Sequence, residues 1–286
     1  MARSNSQRLP RSPACALPGV HGGSVMGVPP PPAGAGVCRR CRGPSCHGPE
    51  CWCCLTVGRL LGEAPGSGPM LVPLALCRCG DALHGALRRY KDAPALSARR
   101  HFAQLLAALL QRFLVGHRPC LERAVGGWDA LALVPSTMRS SSVLHPVCPF
   151  EIVAGQVAEL HGLSRLTLAC GPGRARHLTP APDAFCLAGP ADIEEAGWRV
   201  LLLDDTWVTG ARARSAAAAL AAAGATVVAV VVVGRTVDPG AAPRLAQWWE
   251  KLAATSEGHC CLPGCDGAAQ SRPPSALLWS NAGEVG

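Results

Sequence analysis

Lysine is almost absent from this chain: Lys91 and Lys251 are the only two among 286 residues, so the formal net charge of +8 is carried by arginine. Guanidinium forks suit phosphate groups, yet an arginine-for-lysine coding bias leaves the same excess on an ordinary surface, and most of these side chains are read that way. Aromatic residues are scarce too, at 4% of the composition, which disfavours a row of rings that stacks nucleic-acid bases. Residues 1–13 are polar and hold no apolar core of a signal peptide. The 16 cysteines are therefore expected in a reducing, cytoplasmic setting rather than in the disulfides of a secreted chain. No membrane insertion is expected either. The longest apolar run without a charge, 215–234, turns at Gly224 from an alanine-rich helical pattern to a β-branched run, which fits a helix followed by a strand.

One stretch organises the remainder: Val200-Leu201-Leu202-Leu203-Asp204-Asp205-Thr206-Trp207-Val208-Thr209-Gly210-Ala211-Arg212. Four apolar residues without alternation suit a strand covered on both faces, as in a parallel sheet flanked by helices. The two aspartates then stand at its carboxyl end, where ligands bind in open α/β sheets. Thr209-Gly210 allows a tight turn into a helix, so that backbone amides from Gly210 to Arg212 can point at an anion with the help of the helix dipole. Carboxylates for hydroxyls and amides for a phosphate make a ribose-phosphate site. The plain alternative is a core strand ending in acids that cap a helix.

Ahead of this core, residues 1–37 are rich in Pro, Gly, Ser and Arg and read as a disordered tail. Cys38 and Cys41 form one C-x2-C pair, and Cys51 and Cys54 a second. Two such turns present four thiolates at angles that fit a tetrahedral Zn2+, and a structural site holds a segment too short for its own core. Cys46, His47 and Cys53 compete for these positions. Residues 38–70 are thus a zinc ribbon with its linker, and 71–257 a single large α/β domain. The latter starts with a strand at 71–76, then a helix carrying Leu83, Leu87 and Tyr90, and a longer helix from 96 or 97 to 115. Lys91, at the turn between them, reads as solvated more readily than as a cation of the crevice.

A strand at 128–134 leads into Pro135-Ser136-Thr137-Met138-Arg139, a small, hydroxyl-rich loop with one cation that can hold a pyrophosphate. A helix over 150–161, with Ile152 inward, and a strand over 163–169 follow. Arg174, Arg176 and His177 then lie on a flexible basic segment. Helices over 214–223 and from Pro243 enclose a strand at 226–233. Residues 258–286 form a tail whose thiols, Cys260, Cys261 and Cys265, could finish a metal site with Cys46 or Cys53 but, lacking a C-x2-C knuckle, read more readily as free thiols.

The central stretch resembles the phosphoribosyl pyrophosphate (PRPP) motif of type I phosphoribosyltransferases. With the ribbon, Tyr90-Lys91-Asp92 and the Pro135 loop in the same order, residues 38–235 resemble the ComF-type competence branch of that family. The resemblance implies a parallel sheet with helices on both faces, preceded by a small zinc ribbon. It implies PRPP binding with Mg2+, Asp204 and Asp205 on the ribose hydroxyls, Thr209, Gly210, Ala211 and Arg212 around the 5-phosphate, and Pro135, Ser136, Thr137 and Arg139 on pyrophosphate. Arg174 and Arg176 would sit on a mobile loop that closes over the reacting centre, with His177 as the best general base on offer. The implied activity is transfer of the phosphoribosyl group to a nitrogen nucleophile. The alternative is a non-catalytic accessory of DNA uptake that binds single-stranded DNA or a protein of the competence machinery. A homodimer is compatible with either. Val208 and Arg212 depart from the family pattern, which has hydroxyl residues there, and the Gly171-Pro172-Gly173-Arg174 loop lacks its usual Gln and Asn.

Overall fold

The structure, a computed structural model, describes residues 27–46, 48–136, 148–188, 197–255, 261–263 and 265. Its centre is a five-stranded, all-parallel sheet in the order β1-β7-β6-β2-β3. The strands are β1 (Met70–Arg78), β2 (Ala130–Leu133), β3 (Ser164–Leu166), β6 (Arg199–Trp207) and β7 (Thr226–Val237). Two further strands, β4 (Leu168–Cys170) and β5 (Phe185–Leu187), pair antiparallel as a separate ribbon. The helices are α1 (Trp52–Leu60), α2 (Ala82–Asp92), α3 (Leu96–Val125), α4 (Pro149–Ala154), α5 (Ala211–Ala222) and α6 (Pro243–Thr255). This is the expected α/β fold class, with a parallel sheet, helices on both faces and a cysteine-bearing segment in front.

The central position of β6 and β7 explains their unbroken apolar runs, because successive side chains point to opposite, equally buried faces. Leu201, Leu203, Val231 and Val233 pack with Leu83 and Leu87 of α2, Leu106 and Phe113 of α3, and Phe150 of α4. Val200, Leu202, Val230 and Val232 pack on the other face with Ala213, Ala216 and Leu220 of α5. Each such Val or Leu contributes roughly 1.5–3 kcal/mol on burial. The alanines of α5 suit a helix and leave little side-chain bulk between it and the sheet. Gly224, at φ 84°, ends that helix; the amides of Gly224 and Ala225 return to the carbonyls of Ala221 and Leu220, at 3.0 Å each, as in a Schellman motif.

Several boundaries differ from expectation. α3 runs on through Pro119 to Val125, because its apolar stripe continues through Leu114, Cys120 and Leu121; Val115, whose carbonyl loses its helical donor to the proline, lies half exposed. The expected helix over 150–161 is only α4 and a short 3-10 turn, Ala158–Leu160, and Ile152 is 53% exposed rather than inward. The expected strand over 163–169 splits into β3, paired with β2, and β4, paired with β5. Val28, within the segment read as a tail, pairs with Leu76 on the outer edge of β1, with N–H to O distances of 2.8 and 2.7 Å. Among the described residues, no helix is long and apolar enough to cross a membrane.

Candidate functional site

The alternation of β6 continues into its acids and sends them to opposite faces. Asp205 follows Leu203 toward α2, where it is buried; the Tyr90 hydroxyl donates to its Oδ2 and Lys91 Nζ forms an ion pair with the same oxygen. Burial pushes the Tyr90 hydroxyl far above its ordinary pKa, and the Asp205 charge adds to the shift, so Tyr90 remains a donor at all working pH values. Asp204 follows Leu202 toward α5 and is partly buried. The amide of Asp205 donates to Asp204 Oδ1 at 2.9 Å. Burial and the adjacent Asp205 charge push the Asp204 carboxyl up to about 7, against the pull of Arg212 and Lys91.

The turn that follows is built around Gly210, whose φ of 85° favours glycine and whose missing Cβ leaves room for the buried Trp207 ring. Thr209 is buried and its hydroxyl accepts from the Leu178 amide at 3.3 Å, while Val208 is 45% exposed. Ala211 opens α5. One residue on, the Arg212 guanidinium donates to the Pro135 carbonyl, which ties the start of α5 to the loop after β2. That loop is aligned by the Val134 amide, which extends the β2–β6 ladder to the Leu203 carbonyl at 2.9 Å. Asp204, Asp205, Thr209, Gly210, Ala211, Arg212, Pro135 and Ser136 therefore gather at the carboxyl ends of β6 and β2. Thr137 and Arg139 lie outside the described residues.

Lys91 and Tyr90 join this group, against the sequence expectation of a solvated Lys91. The signal was present in the sequence: Leu83, Leu87 and Tyr90 share a helical face that packs on the sheet, and Lys91 is the next residue. Arg174, Arg176 and His177 are exposed, and among the described residues no hydrogen bond or ion pair brings their side chains to the acids. Their segment is held as a hairpin rather than an open loop. The amides of Gly171 and Gly173 donate to Ala184 and Asp183, and Arg176 and Thr179 exchange backbone hydrogen bonds. It meets the turn and α5 through the backbone amides of Leu178, on Thr209, and Ala181, on Ser215 Oγ at 3.0 Å.

On the α5 side of the sheet, Cys38, Cys41, Cys51 and Cys54 bring their sulfurs within 4.8 Å of one another and could hold a metal ion. The donor set fits one: the amides of Cys41 and Cys51 point at Cys38 Sγ, at 3.4 and 3.3 Å, as they do where a thiolate carries charge. Arg235, buried on β7, aims Nη2 at Cys41 Sγ at 3.7 Å. The neighbouring Cys38 and Cys51 sulfurs, and the Arg235 guanidinium, hold the Cys41 thiol well below its ordinary pKa. Of the competing residues, Cys46 is exposed, Cys53 lies outside the group, and His47 is not among the described residues. Arg214 fastens this segment to α5: it donates to Glu63 Oε1 at 3.1 Å, to Glu63 Oε2, and to the Cys54 carbonyl at 2.7 Å.

No protein-family model matches the chain, and no curated protein sequence matches it. Among solved structures it is similar to an adenine phosphoribosyltransferase from Thermoanaerobacter pseudethanolicus, at 13% identity and a TM-score of 0.26, over 42% of this chain and 80% of that one. It is also similar to the adenine phosphoribosyltransferase of Leishmania tarentolae, at 12% identity and a TM-score of 0.32, over 59% of this chain and 92% of that one.

Proposed function

We propose that the chain binds a ribose 5-phosphate compound, PRPP first among them, as a member of the ComF-type branch of the phosphoribosyltransferases. The observation that carries this reading is the shared rim: an acid pair, a glycine turn opening a helix, and an arginine tying that turn to a second strand-end loop. Asp204, partly exposed, accepts from the ribose hydroxyls; Asp205, already held by Tyr90 and Lys91, fixes the strand tip and keeps a cation beside the sugar. The amides of the Gly210 turn and the α5 dipole take the 5-phosphate, and Pro135 and Ser136 face the pyrophosphate. Mg2+ entering with PRPP would find hard oxygen donors in Asp204 and would neutralise charge on the leaving pyrophosphate. Transfer to a nitrogen nucleophile would then rest mainly on positioning and on charge stabilisation. His177 is the candidate base, on the hairpin that meets Thr209. The four-cysteine segment is read as a structural zinc ribbon.

The second reading is a non-catalytic accessory that binds single-stranded DNA. It is favoured by Trp52, 66% exposed at the start of α1, and by Arg59, seven residues on and exposed along the same helix. Thermal unfolding with millimolar PRPP and Mg2+ separates the two. A ligand at about 100 times its Kd stabilises by ~2.7 kcal/mol. We expect a clear rise in Tm that is lost in Asp204→Asn and in the Asp204→Asn, Asp205→Asn pair. No rise, together with salt-sensitive single-strand binding that Trp52→Ala removes, would replace the first reading by the second.

A further inference from the structure

A second group of metal-ligating side chains lies far in sequence from the ribbon cysteines: His117 and Cys120 of α3 and Cys265 near the carboxyl end, whose ligand atoms all fall within 4.8 Å of one another. His117 and Cys120 are three residues apart on a helix and so share a face. Cys261 and Leu262 are buried in the α3 layer of the core, which carries the chain back over that face and brings Cys265 to it. The His117 ring is 2% exposed and stacked on Phe113 at 5.0 Å, yet among the described residues its Nδ1 has no hydrogen-bond partner. A buried imidazole with an orphaned nitrogen is destabilising, and two cysteines stand beside it.

We infer that His117, Cys120 and Cys265 bind a zinc-class divalent ion that clamps the carboxyl-terminal segment onto α3. One imidazole and two thiols are a donor set that zinc favours over harder cations. Tetrahedral bonding asks for ligand atoms about 3.5–4 Å apart, and these already lie within 4.8 Å of one another. Binding forms one Zn–N and two Zn–S bonds; the two thiol protons leave to solvent, and Zn2+ with two thiolates and a neutral ring is uncharged. An electroneutral centre suits the margin of an apolar layer. Three protein donors would leave one tetrahedral position for an exogenous ligand such as water.

The test is metal stoichiometry in the full chain. The protein is reconstituted with excess Zn2+ under reducing conditions, freed of loose metal, and measured by plasma mass spectrometry, with Co2+ absorption as a second readout. Cys265→Ser and His117→Gln should each lose one equivalent and the matching part of the thiolate–cobalt charge-transfer band. Cys41→Ser should lose a different equivalent. Unchanged metal content in Cys265→Ser overturns the proposal, as does a Cys120–Cys265 disulfide, seen as a 2 Da lower mass without reductant, in a chain that keeps its metal when Cys265 is replaced. Cys265 is on the accessible side of the group, so its serine variant decides the matter even where His117→Gln fails to fold.

Discussion

Asp204 and Asp205 are neighbours in the chain and belong to opposite sides of the sheet. Asp205 has both a phenol and an ammonium to itself, whereas Asp204 faces the proposed ligand rim with its pKa pushed up to about 7 by burial and by Asp205. A carboxyl whose folded pKa lies above its unfolded value of 3.8 binds more protons when folded. It therefore makes stability fall as pH rises from about 4 to about 7. A ribose hydroxyl donates to the ionised form, so binding must release that proton below pH 7. Affinity for ribose 5-phosphate should rise up to about tenfold per pH unit below 7 and level off above it. Calorimetry in two buffers of different ionisation enthalpy should show up to one proton released at pH 6, and Asp204→Asn should leave only the titration of the phosphate itself. An unchanged profile in that variant would remove Asp204 from the ligand. The acid pair was legible because a strand, two carboxylates and a glycine turn follow one another without interruption. Lys91 was not, because its partner lies more than a hundred residues away and a lone lysine reads as solvated.

At the scale of elements, the joint between α1 and α5 depends on one side chain that looked ordinary in sequence. Arg214 sits in an alanine-rich helix, where an arginine is expected to reach water, yet it is 2% exposed and spends its donors on Glu63 and the Cys54 carbonyl. Gly58 makes the passage possible, since a Cβ there would come within 2.8 Å of Nη2. Replacing a buried guanidinium leaves a void and takes from Glu63 its nearest partner, although the carboxylate keeps Arg40 Nη1 at 3.7 Å and partial access to solvent. Arg214→Ala should therefore cost about 3 kcal/mol, at the lower end for a broken buried pair. Urea unfolding followed by both circular dichroism and tryptophan fluorescence measures it, and a loss under ~1 kcal/mol would mean that the joint is held by apolar packing alone. Element types were legible where periodicity was strong, as in α2 and β6. The end of α3 was not, because Pro119 is a stop signal that tertiary packing overrides.

Across the whole molecule, the cysteine segment and the ligand rim share one apolar layer. Cys38, Cys41, Cys51 and Cys54 pack in the same cluster as Trp207, Ala213, Leu202 and Val232. Arg235 links the two, since it donates to Cys41 Sγ and is paired in register with Trp207, the residue under the Gly210 turn. The two C-x2-C pairs were legible; their docking was not, because Arg235 stands 194 positions from Cys41 and looks like any strand arginine. A four-thiolate centre with Zn2+ carries two negative charges, and the buried guanidinium offsets part of them. If the metal leaves, the thiolates take up protons and Arg235 is left as a buried cation with little counter-charge, a loss on the order of 3–5 kcal/mol. For a domain of this size that is roughly a 10 °C fall in Tm. The same change loosens the support of Trp207 and hence of the turn proposed to hold phosphate. Chelation of the purified chain should therefore lower Tm and weaken ribose 5-phosphate binding together, with Cys41→Ser doing the same and Cys265→Ser sparing the ligand. A chelated or Cys41→Ser chain with wild-type ligand affinity would show that the cysteine segment is attached to the sheet without supporting its ligand rim.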